Sequence, residues 1–453
     1  MNQRLREERI GSLLWKFSLP AIVAMLVNAL YNIVDRIFVG QGVGSIGIAA
    51  ITVAFPIMIV NMAVSMLIGV GATSLISIHL GEQKKQEAER VAANAISIKI
   101  ILAVILTVFY LLFQDPILMF FGADEQVLPY ARDFTCIIML GSVFGTISMG
   151  VNNFIRAEGN PQVAMMTQIT GTVINVVLNY IFIFKLGLGI KGSALATICG
   201  QAVSAIWVMA YFLGGYSFIK IKAKNLNPRL STIWRIVAIG FGPFAMQLAM
   251  SAQHTILNSS VMKLGGDLAL AAVGIMMSVG TLIIMPIIGF NQGAQPLIGY
   301  NYGAREFVRV KKTLKLAVIA ASCYAVAVFL VISIWPTQIV GLFSKGDTDL
   351  TMLTIHAMHV FFTLIPLAGF QILCSGYFQA VGKPVKSMIL SLSRQVLFFI
   401  PMLLILPHIW GLEGVWRAAP VADALSVALT AILITVEMRK LGREQLAADS
   451  AKE

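Results

Sequence analysis

Charge is scarce in this 453-residue chain: 12% of its residues are Asp, Glu, Lys or Arg, while 58% belong to the hydrophobic set. Globular domains carry about twice that charged share, so a soluble enzyme or a pair of soluble domains is set aside. Cysteine is also scarce. The four present (Cys136, Cys199, Cys323 and Cys374) sit in apolar stretches at irregular spacing, which fits neither a disulfide framework nor a zinc site. Of the five histidines, His356 and His359 share a helix face without an evident third ligand, and His254 stands alone. No metal centre is expected from them. No nucleophile has a recognisable base beside it and no phosphate-binding P-loop occurs. The chain is therefore not expected to be an enzyme, to hydrolyse ATP or to carry a cofactor.

What the chain does have is long apolar runs, with a mean hydropathy of +0.84. Crossing about 30 Å of hydrocarbon takes about 20 residues of helix, and twelve such spans can be read. The first six are 13–39, 46–78, 91–113, 128–154, 163–184 and 193–213; after a basic linker come 236–262, 268–300, 314–335, 350–378, 385–407 and 414–436. Several exceed the crossing length, so tilt, protrusion or kinks at Pro56, Pro243, Pro286 or Pro366 are expected. The charged N-terminus runs into an apolar segment longer than a signal peptide, so that segment is expected to stay in the bilayer.

Lys and Arg number 33 against 21 acids, a formal charge of +12. In a soluble chain this would suggest nucleic acid; in a membrane protein it reflects basic cytoplasmic loops. Sorting confirms the pattern: twenty-four bases, from Arg4, Arg6 and Arg9 to Lys452, fall in the tails and after even-numbered spans. Seven, including Arg36, Arg132 and Lys345, fall on the other side. Both termini are thus expected in the cytoplasm, with no nucleic-acid partner. Lys99 and Arg394 lie within spans.

The two halves also repeat each other at an offset of 222 or 223 positions. Gly71-Ala72 matches Gly293-Ala294, Gly81 matches Gly303, Ala157-Glu158-Gly159-Asn160-Pro161 matches Ala380-Val381-Gly382-Lys383-Pro384, and Gly192 matches Gly414. Six crossings per half return the chain to its starting side, so the repeats are parallel. The expected fold is an all-α membrane protein whose twelve transmembrane helices form two six-helix lobes related by a pseudo-twofold axis along the membrane normal. The lobes are 1–213 and 236–453, joined by a cytoplasmic linker at 214–235, with a substrate cleft between them.

A charge inside a span costs about 2.5 to 3.5 kcal/mol on insertion scales, so each one calls for a partner or a function. Asp35, preceded by Asn28 and Asn32 on one helix face, is the foremost candidate; the alternative is a helix-end acid paired with Arg36. Asn175 and Asn179 on span five and Thr197 on span six either glue helices together or help Asp35 hold a small hard cation or a proton. Arg394 and Asp423 read as a buried structural pair. Asn32, Gln253, Met276, Phe290, Gln292 and Gln295 are candidates for the substrate cleft, with ordinary packing the alternative for each.

Taken together, Asp35-Arg-Ile-Phe-Val-Gly40, Gly69-Val-Gly-Ala-Thr-Ser74, Arg156-Ala-Glu-Gly-Asn-Pro161, Gly189-Ile-Lys-Gly-Ser-Ala-Leu-Ala196 and Gln379-Ala-Val-Gly-Lys-Pro384 resemble the multidrug and toxic compound extrusion (MATE) family, in its bacterial drug-exporter branch. The resemblance implies two lobes forming a V in the bacterial plasma membrane. It also implies export of amphipathic, mostly cationic drugs in exchange for inward Na+ or H+; the chain is expected to act as a monomer. By position, Asp35 matches the coupling carboxylate, Asn175 the span-five amide and Thr197 the span-six hydroxyl, while Asn179 stands where some members have a second acid. A flippase for a lipid-linked amphiphile is the alternative; its phosphate would need basic residues in the cleft, and only Lys99 and Arg394 lie mid-span.

Overall fold

In the computed structural model, which describes residues 8–344 and 347–450, the chain is helical with short connections. Arg4, Arg6, Lys345 and Lys452 lie outside the described residues. Nine helices among the described residues are long and apolar enough to cross a membrane, and two bent pairs pass the same test together. One of the nine, Leu230–Gly303, is two helices merged across a break at Gly266, which brings the total to the twelve spans expected.

The first six are α1 (Ile10–Gly42), α2 (Ser45–Gly81), α3 (Lys85–Phe120), α4 (Leu128–Leu140 with Ser142–Ala157), α5 (Pro161–Lys185) and α6 (Gly189–Leu213). The arms of Leu230–Gly303 are α7 and α8. They are followed by α9 (Phe307–Ile334), α10 (Thr348–Phe361 with Ile365–Ala380), α11 (Pro384–Trp410) and α12 (Leu412–Ser450). Their ends follow local chemistry: Pro161 and Pro384 open α5 and α11 at positions where the missing N–H is not needed.

The breaks only partly follow proline. Pro366 lies where α10 bends by 44°, but Pro56, Pro243 and Pro286 sit inside helices whose backbone stays helical around them. Another break falls in α3 at Phe113, three residues before Pro116, and the remaining ones fall at Gly141, where α4 bends by 57°, and at Gly266. There φ is 63° and ψ is −158°, a conformation open to glycine alone. Wider π-helical turns at Ile147–Val151 and Ser393–Phe399 interrupt α4 and α11, and one at Ile181–Lys185 ends α5. Such turns often accompany functional sites.

By contacts the chain divides into two compact units, one of Val23–Phe244 and the other of Asn2–Ile22 with Ala245–Glu453. The first is built on a core including Ala54, Tyr110, Phe134 and Ala194. The second is built on Leu257, Met276, Phe361, Trp416 and their neighbours. The start of α1 packs in the second unit, where a Cβ on Gly293 would come within 2.6 Å of the Ser18 Cα.

The segment after α6 is strapped to the first unit. Buried Glu158, in the α4–α5 loop, accepts from Tyr211 Oη at 3.1 Å, from the backbone N–H groups of Phe218 and Ile219 at 3.2 Å each, and from the Ser217 hydroxyl. Farther along, Lys222 pairs with buried Glu89 at 2.6 Å, and Asn94 donates to the Asn225 carbonyl and accepts from the Arg229 N–H, both at 2.7 Å. Burial pushes the Glu158 carboxyl above the ordinary glutamate range, although its four donors oppose the shift.

Candidate functional site

Three helices of the first unit each contribute two polar side chains one turn apart: Tyr31 and Asp35 from α1, Asn175 and Asn179 from α5, Ser193 and Thr197 from α6. Residues four apart share a helix face, so the six side chains meet in two tiers. In one tier, Asp35 Oδ1 accepts from Asn179 Nδ2 at 2.5 Å and from the Ser193 hydroxyl at 3.2 Å. In the other, Asn175 Nδ2 donates to Thr197 Oγ1 at 3.2 Å, and the Tyr31 hydroxyl lies 3.4 Å from the same oxygen. Asn175, Asn179, Ser193 and Thr197 are all buried. Sequence reasoning brought Asp35, Asn175, Asn179 and Thr197 forward, and the structure gathers them.

Glycine makes this approach possible. A Cβ on Gly171 would lie 2.8 Å from the Gly200 carbonyl oxygen, and one on Gly200 would lie 2.5 Å from the Gly171 carbonyl oxygen. Thus α5 and α6 touch backbone to backbone one turn from Asn175 and Thr197, a contact only small residues allow. The two members that sequence reasoning missed, Tyr31 and Ser193, carried a usable signal. Each stands four positions from a residue already singled out.

The site's charge has no contact ion pair, and the neighbouring Arg36 acts on it only from longer range. No Lys or Arg nitrogen lies within 4.0 Å of the Asp35 carboxylate among the described residues, so the pairing with Arg36 considered from sequence does not form. Its hydrogen bonds come from neutral groups. The Oδ1 atoms of Asn175 and Asn179 are buried and lack a hydrogen-bond partner, and leaving such acceptors unmet costs about 1–3 kcal/mol each. With the carboxylate and Thr197 Oγ1 they offer a set of hard oxygen donors that suits a small cation. A carboxylate so placed can also take a proton.

The remaining candidates are scattered. Asn32 is exposed and its amide donates to the carbonyl of Asn28 at 2.8 Å, within its own helix. Met276 is packed inside the core of the second unit, and Phe290 is buried there too. Gln295 donates to Gln379 at 2.7 Å, while Gln253 and Gln292 are half-buried. Arg394 and Asp423 form an ion pair through Nε and Oδ1, beside the Gln371, Ser393 and Ser426 hydrogen bonds. His356 bonds Glu413 at 2.7 Å, and no group of three or more potential metal ligands occurs among the described residues.

A duplicated, twelve-helix membrane protein with a lone carboxylate among intramembrane amides is of the transporter class. The MatE family profile matches residues 20–181 and again 243–405, two ranges whose starts lie 223 positions apart. The chain belongs to the MatE family of membrane transporters. It is similar to the multidrug export protein MepA of Staphylococcus haemolyticus (strain JCSC1435), with 28% identity over 428 residues, 94% of each chain. The structure of the MATE multidrug transporter DinF-BH in complex with R6G superposes with a TM-score of 0.89 at 38% identity, covering 95% of this chain and 96% of that one. A crystal structure of MATE in complex with MaL6 gives 0.92 at 25% identity, covering 97% and 99%.

Proposed function

We propose that this transporter exports amphipathic, mostly cationic drugs or toxins in exchange for inward Na+ or H+, with Asp35 as the coupling carboxylate and Asn175, Asn179 and Thr197 as its partners. The observation that carries the reading is a half-buried acid hydrogen-bonded only by neutral donors, beside two buried amide oxygens without partners. The names of its relatives, a multidrug export protein and a multidrug transporter complexed with R6G, support the cargo class.

Exchange requires ion and drug to favour different conformations, because a ligand that binds both states equally shifts neither. Neutralised by a proton or Na+, Asp35 removes a charge from the contact between α1 and the α5–α6 pair. Ionised, it favours the state that accepts a cationic drug. We further propose that the protein works as a monomer in the bacterial plasma membrane, with lobes at 1–213 and 236–453 and both termini in the cytoplasm. Asn32, Gln253, Phe290, Gln292 and Gln295 are its proposed drug contacts. A phosphate-bearing lipid cargo is less well supported, since Lys99 is buried and Arg394 is held by Asp423.

Efflux of a fluorescent organic cation, measured in everted vesicles under a pH gradient alone and then a Na+ gradient alone, separates the coupling ions. Asp35→Asn is expected to cut gradient-driven efflux by on the order of 100-fold, the upper range of two-site coupling, while the protein still folds. Undiminished efflux would reject the role of Asp35.

A further inference from the structure

Lys99 lies within α3 and is absorbed by neither the Asp35 cluster nor an ion pair. It is 2% exposed. Its ammonium donates to the Ser65 carbonyl at 2.8 Å, to the Ser65 hydroxyl oxygen at 3.1 Å and to the Thr146 carbonyl at 3.3 Å. Thr146 immediately precedes the π-helical turn Ile147–Val151 of α4, and the ammonium fills the space where a Cβ on Gly150 would sit 1.7 Å away. No carboxylate lies within 4.0 Å of it among the described residues.

This cage suits two protonation states. The ammonium places its three protons on three oxygens. A neutral amine would keep two N–H donors for the two carbonyls and offer its lone pair to the Ser65 hydroxyl. That hydroxyl is the one member of the cage able to change from acceptor to donor.

The fold itself does not require an amine here. Shifted by 222 or 223 positions, Lys99 falls on Ala321 or Ser322, Ser65 on Ile287 or Ile288, and Thr146 on Ala368 or Gly369. A Cβ on Gly369 would come within 2.9 Å of the Ala321 carbonyl carbon. The matching helices of the second unit therefore meet at this place without a charge.

We propose that Lys99 and Ser65 form a proton-binding site of the first unit, separate from the Asp35 cluster, that releases and regains one proton during each transport cycle. In release, one Nζ–H bond breaks, the electron pair stays on nitrogen to accept from the Ser65 hydroxyl, and H+ passes to water; no electron is transferred. The titratable groups on the elements packed against α3 are engaged elsewhere or exposed. His79 bonds Glu82, Arg132 pairs with Asp115, and Asp133 pairs with Lys191. Buried Arg156 donates to Asn153 and Gln168 at 3.0 Å each, Tyr130 and Lys224 are exposed, Cys136 is half-buried, and none of the seven bonds the ammonium.

The test is the pH profile of gradient-driven efflux of a fluorescent organic cation from proteoliposomes holding the full chain. It compares wild type with Lys99→Met, Lys99→Arg and Ser65→Ala, with folding and drug binding checked for each. Lys99→Met is expected to lose one titration step from the profile. Lys99→Arg, carrying a charge it cannot release, is expected to bind the drug normally yet transport about tenfold more slowly at every pH. Ser65→Ala is expected to displace the step. A wild-type profile in Lys99→Met overturns the proposal. If that variant or Lys99→Arg fails to fold, Ser65→Ala decides, because an undisplaced step there overturns it equally. Asp35→Asn in the same assay tests the coupling reading separately, so either can fail alone.

Discussion

Shifted by 222 positions, Asp35 falls on Leu257, Ser193 on Val415 and Thr197 on Ala419. All three residues of the second unit are fully buried in its hydrophobic core. Asn175 and Asn179 fall at 397–398 and 401–402, where Leu, Phe, Pro and Met stand. At these positions the second unit packs apolar side chains, although Tyr31 falls on Gln253 or His254. The converse also holds. Arg394 and Asp423 map beside Gly171 and Gly200, so an ion pair joins α11 to α12 near the place where bare backbones join α5 to α6. A charge tied to its opposite is fixed, whereas a charge among amides can exchange its counterion. This comparison supports the proposal that coupling belongs to the first unit.

The comparison can be sharpened by breaking the second unit's pair. Asp423→Ala strands a half-buried guanidinium and is expected to cost about 3–5 kcal/mol of stability. The double variant Arg394→Met with Asp423→Leu is expected to recover most of that loss, because apolar replacements of both partners are often neutral. Thermal unfolding in detergent measures both. A single variant as stable as wild type would show that the pair does not hold α11 to α12.

A smaller contrast lies at the α4–α5 and α10–α11 loops. In the second unit buried Glu437 of α12 meets Lys383 and Lys386. In the first, Glu158 has no basic partner within 4.0 Å among the described residues. Because burial raises the Glu158 carboxyl, the folded state keeps a proton that the unfolded chain releases. Its contribution to stability is therefore greatest at acidic pH and declines as pH rises above the ordinary glutamate range. Glu158→Gln is expected to flatten this decline in a series of melting temperatures. An unchanged slope would show that Glu158 is not its source.

Most of the fold was legible because membrane crossing imposes a length and an apolar composition that the chain displays twelve times. Proline was a poorer guide to bends. Pro56 and Pro243 stay within regular turns, while the break at Gly266 takes a conformation that glycine alone adopts and the bend at Gly141 does not. The site was half legible. Rare polar residues at spacing four marked Asn175 and Asn179, but only packing decides which face of α1 meets them. Asn32 was singled out where Tyr31 was not, yet Asn32 bonds within its own helix while Tyr31 reaches Thr197. Nor does spacing reveal the π-helical turn beside Lys99, since the extra residue depends on what the bend surrounds.

The most direct measurement is equilibrium binding of a fluorescent organic cation to the purified protein as pH is lowered or Na+ is added. If Asp35 holds ion and drug in opposition, affinity falls by about 5- to 150-fold with the coupling ion. Asp35→Asn then binds weakly and without ion dependence, and the Arg394→Met, Asp423→Leu variant behaves as wild type. Ion-dependent binding that survives in Asp35→Asn but disappears in the second-unit double variant would contradict the account.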